Sequence, residues 1–161
     1  MEDFSHINAA NKAKMVDVGG KVSSKRKATA SAIVALGPEL FEQLIQEQGV
    51  HELKMPKGPV FQTAIIAGIQ GVKQTPFLIP MCHPLQISGV EILIQPRQEG
   101  QIEILCTVSL EGKTGVEMEA LMGANIAALT VYDMCKAVNP HIEIKELKLI
   151  SKQEGKNDFS L

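Results

Sequence analysis

Four ionisable side chains stand in an otherwise apolar segment of the chain, where burial makes charge costly. Glu117, Glu119, Asp133 and Lys136 fall within residues 116–138, whose apolar residues recur on nearly every side of a predicted helix. At roughly 100° per residue, Glu119 and Asp133 are about 40° apart, and Asp133 and Lys136 about 60° apart. These three side chains therefore follow one stripe, and a carboxylate beside an ammonium group suits proton transfer and anion binding.

Two interpretations of these charges stay open from the residues alone. Asp133 and Lys136 could form an ordinary helix ion pair, while Glu117 and Glu119 complement the helix dipole in the first turn. Charged side chains are rarely buried without a partner or a ligand, so the same positions also predict a site. Gly123 lies on the same stripe, and we expect it to leave room for a ligand.

The segment Met-Cys-His-Pro at residues 81–84 places a thiol beside an imidazole in a loop rich in proline. This segment could serve packing, form a metal site, or provide His83 as an acid–base group. Only one Cys–His pair is local, which disfavours the metal. The other histidines, His6, His51 and His141, are expected to be solvated.

Two further segments could contact anions. Residues 112–115, Gly-Lys-Thr-Gly, lead into the start of the long helix, where free N–H groups favour anions. They lack the first glycine and the spacing of a Walker A loop, so the signal is weak. Residues 25–27, Lys-Arg-Lys, are either a solvated arm or an anion contact.

Composition limits the class of protein. The chain has 161 residues and a net charge of −2, with 45% hydrophobic and 21% charged residues, which indicates a globular fold and excludes a collagen or a coiled coil. That charge disfavours duplex DNA and anionic membranes as partners, and the absence of Trp disfavours base stacking. The number and positions of the three cysteines match no disulfide framework. With no secretory signal and no long apolar run, we expect a soluble cytoplasmic protein with reduced thiols.

The order of predicted elements gives a fold class. We expect one domain over residues 1–161, with a polar arm at 1–28, a core at 29–150 and a polar tail at 151–161. The class is α+β, a ferredoxin-like antiparallel sheet with helices packed on one face. The predicted strands are 30–36, 90–95, 101–110 and 142–150, with a turn at Glu99-Gly100 between the second and the third. Three helices are predicted: one from Pro38 to a stop at Gly49, one over 60–73 and one over 116–138. Residues 75–84 are predicted to form a loop.

The long helix predicts an oligomer. A helix that is apolar almost all round is buried all round, against its own sheet and against something else. For a chain of this length, a second subunit is the natural candidate.

Three segments of the chain resemble a known family. They are residues 78–85 (LIPMCHPL), 112–121 (GKTGVEMEAL) and 127–138 (AALTVYDMCKAV), and residues 6–8 and 15–18 extend the likeness to the N-terminal region. Together they closely resemble cyclic pyranopterin monophosphate synthase, the molybdenum-cofactor biosynthesis protein C. Three long motifs in the right order are a specific signal.

The resemblance implies a lyase-type enzyme with a ferredoxin-like subunit, assembled as a homo-hexamer of three dimers with active sites at the dimer interface. Its substrate would be a cyclised GTP derivative, 3′,8-cyclo-7,8-dihydroguanosine 5′-triphosphate, made by a radical-SAM partner enzyme. Its products would be cyclic pyranopterin monophosphate and diphosphate. No cofactor is certain, and a divalent ion accompanying the triphosphate is left open.

The resemblance also implies site residues. Carried over by motif, Asp133 and Lys136 would be catalytic, and Lys57 would join them as an acid–base and phosphate-binding residue. Arg26 and Lys73 would add positive charge for the triphosphate. The expected substrate contacts are Met81, Cys82, His83, Glu117, Met118 and Glu119.

The chain departs from the family pattern where charge or flexibility would serve the triphosphate. Pro59 follows Lys57-Gly58 where the family often has Asp, and residues 154–158 replace a glycine-rich segment. Thr29, Ile65 and Gln74 stand where basic residues are frequent. A non-catalytic relative that binds a nucleotide or pterin is therefore one alternative. A metal-dependent hydrolase using Cys82, His83 and a carboxylate is another.

Overall fold

The computed structural model describes residues 10, 12–46, 49–50, 52–98, 100–153 and 158–161. The predictions for His6, His51, Glu99 and residues 154–157 lie outside this part of the chain. Within it the helices are α1 Pro38–Leu44, α2 Val60–Leu78 and α3 Glu117–Cys135. The strands are β1 Ser24–Ala35, β2 Ile45–Gln46, β3 Gly49–Val50, β4 Lys54–Met55, β5 Gly58–Pro59, β6 Gly89–Pro96, β7 Gln101–Gly112, β8 Glu143–Gln153 and β9 Phe159–Ser160.

The main sheet is antiparallel, with strand order β6-β7-β1-β8-β9. Its central strand β1 pairs with β7 along its whole length, from Ser24 opposite Gly112 to Ala35 opposite Gln101. Alternate residues of β1 (Ala28, Ala30, Ala32 and Val34) are at most 1% exposed. Because successive strand residues point to opposite faces, this row of small side chains forms the floor of the core.

Helices α2 and α3 pack against each other on that floor. A Cβ added to Gly68 would lie 2.8 Å from the main-chain oxygen of Gly123, and one added to Gly71 would lie 2.8 Å from Ile126 Cγ1. The two helices therefore lie in close contact at these glycines, where a larger side chain would clash. Connected as strand, helix, strand, strand, helix and strand, the long elements confirm the ferredoxin-like α+β class.

Helix α2 is longer than predicted. It continues to Leu78, so the prediction of a loop over residues 75–84 is wrong for its first four residues. Pro76 lies inside the helix and donates no hydrogen bond, yet the Thr75 hydroxyl donates to Gly71 O at 3.3 Å, and Ile79 N donates to Thr75 O at 2.9 Å. Thr75 is fully buried, so the packing of this end of α2 outweighs the loss of one hydrogen bond there.

Other boundaries also move. The strand predicted at residues 30–36 begins at Ser24, so residues 25–27 belong to the sheet. Polar composition hid this, because one face of that part of β1 is exposed. Helix α1 ends at Leu44 instead of running on to Gly49, since Leu40 and Leu44 are its buried residues and the chain then enters β2.

At the C-terminal side, α3 ends at Cys135 instead of Val138. The amide groups of Val138 and Asn139 both donate to Cys135 O, which tightens the chain out of the helix. The last predicted strand, 142–150, extends to Gln153 as β8 and pairs there with β9.

Candidate active site

The Asp133 carboxylate, in the last turn of α3, is held between two ammonium groups. Lys57 Nζ lies 2.6 Å from Asp133 Oδ2, and Lys136 Nζ lies 2.7 Å from Asp133 Oδ1. Lys57 Nζ also donates to the main-chain oxygen of Asp133 at 3.3 Å. The three side chains are 51–54% exposed, so a ligand can reach them. We refer to these residues as the lysine–aspartate cluster.

Electrostatics fixes the charge states in this cluster. Hydrogen bonds from Lys136 and then Lys57 lower the pKa of Asp133 from 3.8 to about 2. The hydrogen bond to Asp133 raises the pKa of Lys136. With two lysines around one carboxylate, the cluster carries a net positive charge at neutral pH, which suits an anionic ligand.

Lys57 reaches Asp133 from a small hairpin. Strands β4 and β5 pair Lys54 with Pro59 and Met55 with Gly58, which places Lys57 in the connecting turn. Gly58 has a φ of +111°, in the region that favours glycine, so the turn depends on this residue. The lysine–aspartate cluster thus joins two elements that are far apart in sequence.

A second group of candidate residues surrounds a pocket of about 440 Å³ at the other end of α3. The loop after α2, the start of α3 and the segment around residues 16–21 form its walls. All six residues predicted as substrate contacts line it, although their roles stay predictions: Met81, Cys82, His83, Glu117, Met118 and Glu119. We call it the α3 pocket.

The loop that carries the thiol and the imidazole is ordered by main-chain contacts. Cys82 N donates to Ile79 O at 3.1 Å, which turns the chain just after α2. His83 Nε2 lies 2.8 Å from Val16 O, so the imidazole ties the loop to the N-terminal segment. Sequence reasoning missed this role of Val16, although it lies in the short segment 15–18 that carries part of the family resemblance.

Glu119 is the buried charge of the α3 pocket, with 3% of its surface exposed. Burial raises its pKa, its own backbone amide opposes the rise, and the nearby Glu117 raises it further. The pKa of the Cys82 thiol is also raised, mainly by burial and then by the negative charge of Glu119. A carboxyl and a thiol that both resist ionisation can donate hydrogen bonds to a ligand.

Glu117 has a partner that sequence reasoning missed. Lys152 Nζ, from β8, lies 2.5 Å from Glu117 Oε1, and the two side chains are about three-quarters buried. The prediction missed it because the last strand was expected to end at residue 150, two residues before Lys152. Lys152 fixes one wall of the α3 pocket and offsets part of its negative charge.

The stripe of charges along α3 does not form one continuous surface. Glu119 and Asp133 are fourteen residues apart, about 21 Å at 1.5 Å per residue. Glu119 is buried whereas Asp133 is half exposed. Gly123, expected to leave room for a ligand, instead packs in the core: a Cβ there would overlap Cys106 Sγ and lie 2.7 Å from Val72 Cγ2. The prediction about Gly123 is wrong, because α2 and β7 fill that space.

Comparison with known families now adds to this geometry. The sequence model of the MoaC family matches residues 15–155, which is most of the chain and includes every candidate residue described above. The chain belongs to the MoaC family. The resemblance inferred from the three motifs is thereby confirmed, and with it a role in molybdenum cofactor biosynthesis.

Two basic residues expected at the triphosphate lie away from the lysine–aspartate cluster of this MoaC-family chain. Arg26, in β1, lines a separate pocket of about 380 Å³ with its neighbours Lys25 and Lys27. Lys73 is exposed on α2 and lines a pocket of about 310 Å³ that shares Glu119 and Leu85 with the α3 pocket. Within one chain the structure therefore brings neither residue to Lys57 and Lys136.

The residues that depart from the MoaC pattern lie in the sheet, at the border of the core or on the surface of α2. The Thr29 hydroxyl hydrogen-bonds Thr107 at 2.9 Å across two strands, Ile65 packs at the border of the core, and Gln74 is exposed on α2. Pro59 is the N-cap residue of α2 and offers no side-chain hydrogen bond there. In the Gly-Lys-Thr-Gly segment, Lys113 Nζ donates to Gly19 O at 2.5 Å.

Neither a metal centre nor a membrane segment is found in the described part of this MoaC-family chain. Among the described residues, no three His, Cys, Asp or Glu side chains converge on a point where a metal ion could bind. Cys82 and His83 share the α3 pocket with carboxylates, but that pocket provides no such group. Of the described helices, none is both long and apolar enough to span a bilayer.

Proposed function

We propose that the protein is a cyclic pyranopterin monophosphate synthase, a lyase-type enzyme that converts 3′,8-cyclo-7,8-dihydroguanosine 5′-triphosphate to cyclic pyranopterin monophosphate and diphosphate. The observation that carries the proposal is the lysine–aspartate cluster, in which Lys57 and Lys136 hold the ionised Asp133 from two separate elements. Membership of the MoaC family supplies the pathway, and the cluster supplies groups for the proton transfers.

The charge states suggest a division of labour. Asp133 is ionised at neutral pH, and its pKa of about 2 makes it a weak base while both lysines remain bound to it. Lys136 stays protonated, and its raised pKa suits it better as a fixed positive charge than as a proton donor while it is paired with Asp133. Lys57, with its Nζ on the same carboxylate, can stabilise the negative charge that develops as diphosphate leaves. Opening a purine-derived ring and closing a cyclic phosphate require several proton transfers.

The α3 pocket would hold the heterocyclic part of the substrate. Met81 and Met118 are both partly exposed at its wall and provide polarisable apolar surface against a flat ring. Glu119 and His83 provide polar groups that can recognise the edge of that ring. Because burial favours the neutral form of Glu119, this carboxyl can donate as well as accept a hydrogen bond.

The arrangement supports a site shared between subunits. The α3 pocket and the lysine–aspartate cluster lie at opposite ends of one 19-residue helix, so they are too far apart to close together on a small substrate. We propose that each site combines the pocket of one protomer with the cluster of another, in a hexamer of three dimers. Arg26 and Lys73 would join the triphosphate from the assembled surface. A radical-SAM enzyme would supply the substrate.

The test is incubation of purified protein with the cyclised GTP precursor, with diphosphate release and pterin formation as readouts. The matched control is Lys57→Ala, which removes one cation and leaves the core intact. Conversion by the wild type and not by the variant supports the proposal. Tight precursor binding without conversion above that control would instead support a non-catalytic nucleotide- or pterin-binding relative.

A further inference from the structure

We propose that Glu52 is a positioning residue for Lys57, because its carboxylate fastens the hairpin β4–β5 to the start of α2. Glu52 Oε1 accepts a hydrogen bond from Phe61 N at 2.7 Å, and Glu52 Oε2 accepts one from Gln62 N at 2.9 Å. Both carboxylate oxygens are therefore engaged by the first turn of the helix.

These two bonds replace a missing local cap. The first amide groups of a helix have no partner within the helix, and a side chain at the N-cap position usually accepts from one of them. Here the N-cap residue is Pro59, which makes no such bond. Glu52, seven residues earlier in the chain, supplies the acceptor instead, and its negative charge also suits the positive end of the helix dipole.

The same contact closes the loop that carries Lys57. Next to Glu52, Leu53 O accepts from Val60 N at 2.9 Å, and Leu53 and Val60 are both buried. The base of the hairpin is thus pinned by the carboxylate and by this main-chain bond. Between these anchors, the turn presents Lys57 Nζ to Asp133. Loosening the base would move the tip of the hairpin away from the carboxylate.

Glu52 also lies near the element that carries Asp133. The pKa of the Cys135 thiol is raised to about 11, mainly by burial and then by the negative charge of Glu52. Cys135 is the last residue of α3, between Asp133 and Lys136. Glu52 therefore lies where the start of α2, the hairpin and the end of α3 meet. Lys136, by contrast, is the C-cap residue of α3 and does not depend on the hairpin.

The experiment compares Glu52→Gln with the wild type by the rates at which Lys57 and Lys136 are acetylated, read by peptide mass spectrometry. We expect Lys57 to react about two- to five-fold faster in the variant, as for loss of an exposed ion pair, while Lys136 is unchanged. Glu91→Gln, at an exposed carboxylate of β6, is the matched control. An unchanged Lys57 rate would overturn the proposal, and so would an equal rise at both lysines.

A second substitution tests the route. Pro59→Asp in the Glu52→Gln background restores a capping carboxylate at the N-cap position, where aspartate is favoured. We expect α2 to regain its stability while Lys57 acetylation stays raised, because a carboxylate at residue 59 caps the helix without tying residue 52 to it. If Lys57 acetylation instead returns to the wild-type rate, capping of α2 alone positions Lys57, the link from residue 52 is not needed, and the proposal fails.

The activity arm rests on the proposed function. If the wild type converts the precursor, Glu52→Gln should lower kcat about ten- to hundred-fold, because the positioning of Lys57 is lost, and should have no further effect in a Lys57→Ala background. A further loss in that background would contradict a role through Lys57. If the wild type converts nothing, the proposed function fails, while the acetylation rates still decide the role of Glu52.

Discussion

Lys57 and Asp133 are 76 residues apart in the chain, and Lys57 Nζ lies 2.6 Å from Asp133 Oδ2. The contact joins the hairpin β4–β5 to the end of α3, a helix that packs against α2. Neither element would place a charge there for its own stability, since an exposed ion pair contributes little to folding. Under the proposed function this contact belongs to the active site, and it leads to predictions about charge, catalysis and packing.

The first prediction concerns the ionisation of Asp133. Because its two lysine partners favour the carboxylate, its pKa should lie near 2 in the wild type, and it should return toward 3.8 when Lys57 and Lys136 are both replaced by Ala. Carboxyl ¹³C NMR titration measures both values. A wild-type midpoint near 3.8 would show that the ion pairs do not form in solution.

The same pKa has a consequence for stability. A carboxyl group whose pKa is lower in the folded than in the unfolded state stabilises the fold above the unfolded value, and that contribution is lost as pH falls through about 2. The wild type should therefore lose stability between about pH 4 and pH 2 more steeply than Asp133→Asn. Denaturant unfolding at a series of pH values makes the comparison.

The second prediction concerns catalysis. Asp133→Asn keeps the shape of the side chain but cannot accept a proton, and Lys136→Ala removes the adjacent donor. Each should lower product formation by about 10²- to 10⁴-fold, the usual contribution of acid–base groups. Both side chains are half exposed, so circular dichroism and assembly size should be unchanged. Near-full turnover in either variant would refute the assignment of these residues.

The third prediction concerns Glu119. Burial raises the pKa of Glu119 in the folded state above its value in the unfolded chain. As pH rises, the unfolded chain therefore loses this proton before the folded protein does. The free energy of unfolding falls over that range, because the folded state binds the proton more tightly. Glu119→Gln keeps a neutral side chain at every pH. It should raise the melting temperature by a few degrees at about pH 8 and change it little at about pH 4, while activity falls.

The outcome for Glu119 separates two roles. A gain in stability with a loss of activity indicates that the carboxyl group is kept for the ligand. Equal melting temperatures for variant and wild type at both pH values would contradict the strong effect of burial. Glu91→Gln, at an exposed carboxylate, is the control and should shift neither temperature.

The fourth prediction concerns the contact between α2 and α3. Ala is normally a better helix former than Gly, so Gly123→Ala would stabilise an exposed helix. Here the added Cβ meets Cys106 and Val72, and overpacking should destabilise the protein by about 1–3 kcal/mol. Thermal or denaturant unfolding measures the change. Gly20→Ala, where the Cβ meets nothing within 4 Å, is the control.

The sequence supported the fold because its strongest signals are local. Alternation in residues 90–95 and 101–110 predicted the hairpin that the structure has as β6 and β7. The apolar helix at 116–138 was found within three residues of its observed ends. The weaker predictions failed where tertiary contacts outweigh local preference: Pro76 stays helical because α2 is packed on α3, and residues 25–27 are strand because β7 pairs with them.

The amino-acid sequence by itself determined the candidate chemistry: the Asp133–Lys136 pair, the residues 81–83 and 117–119, and through its motifs the MoaC family. Only the tertiary structure decided which of these groups meet. It brought Lys57 to Asp133, gave Glu117 a partner in Lys152, and filled the space at Gly123 with core side chains. The physical reason is that local patterns specify a helix or a strand, whereas contacts between distant charges depend on how those elements pack.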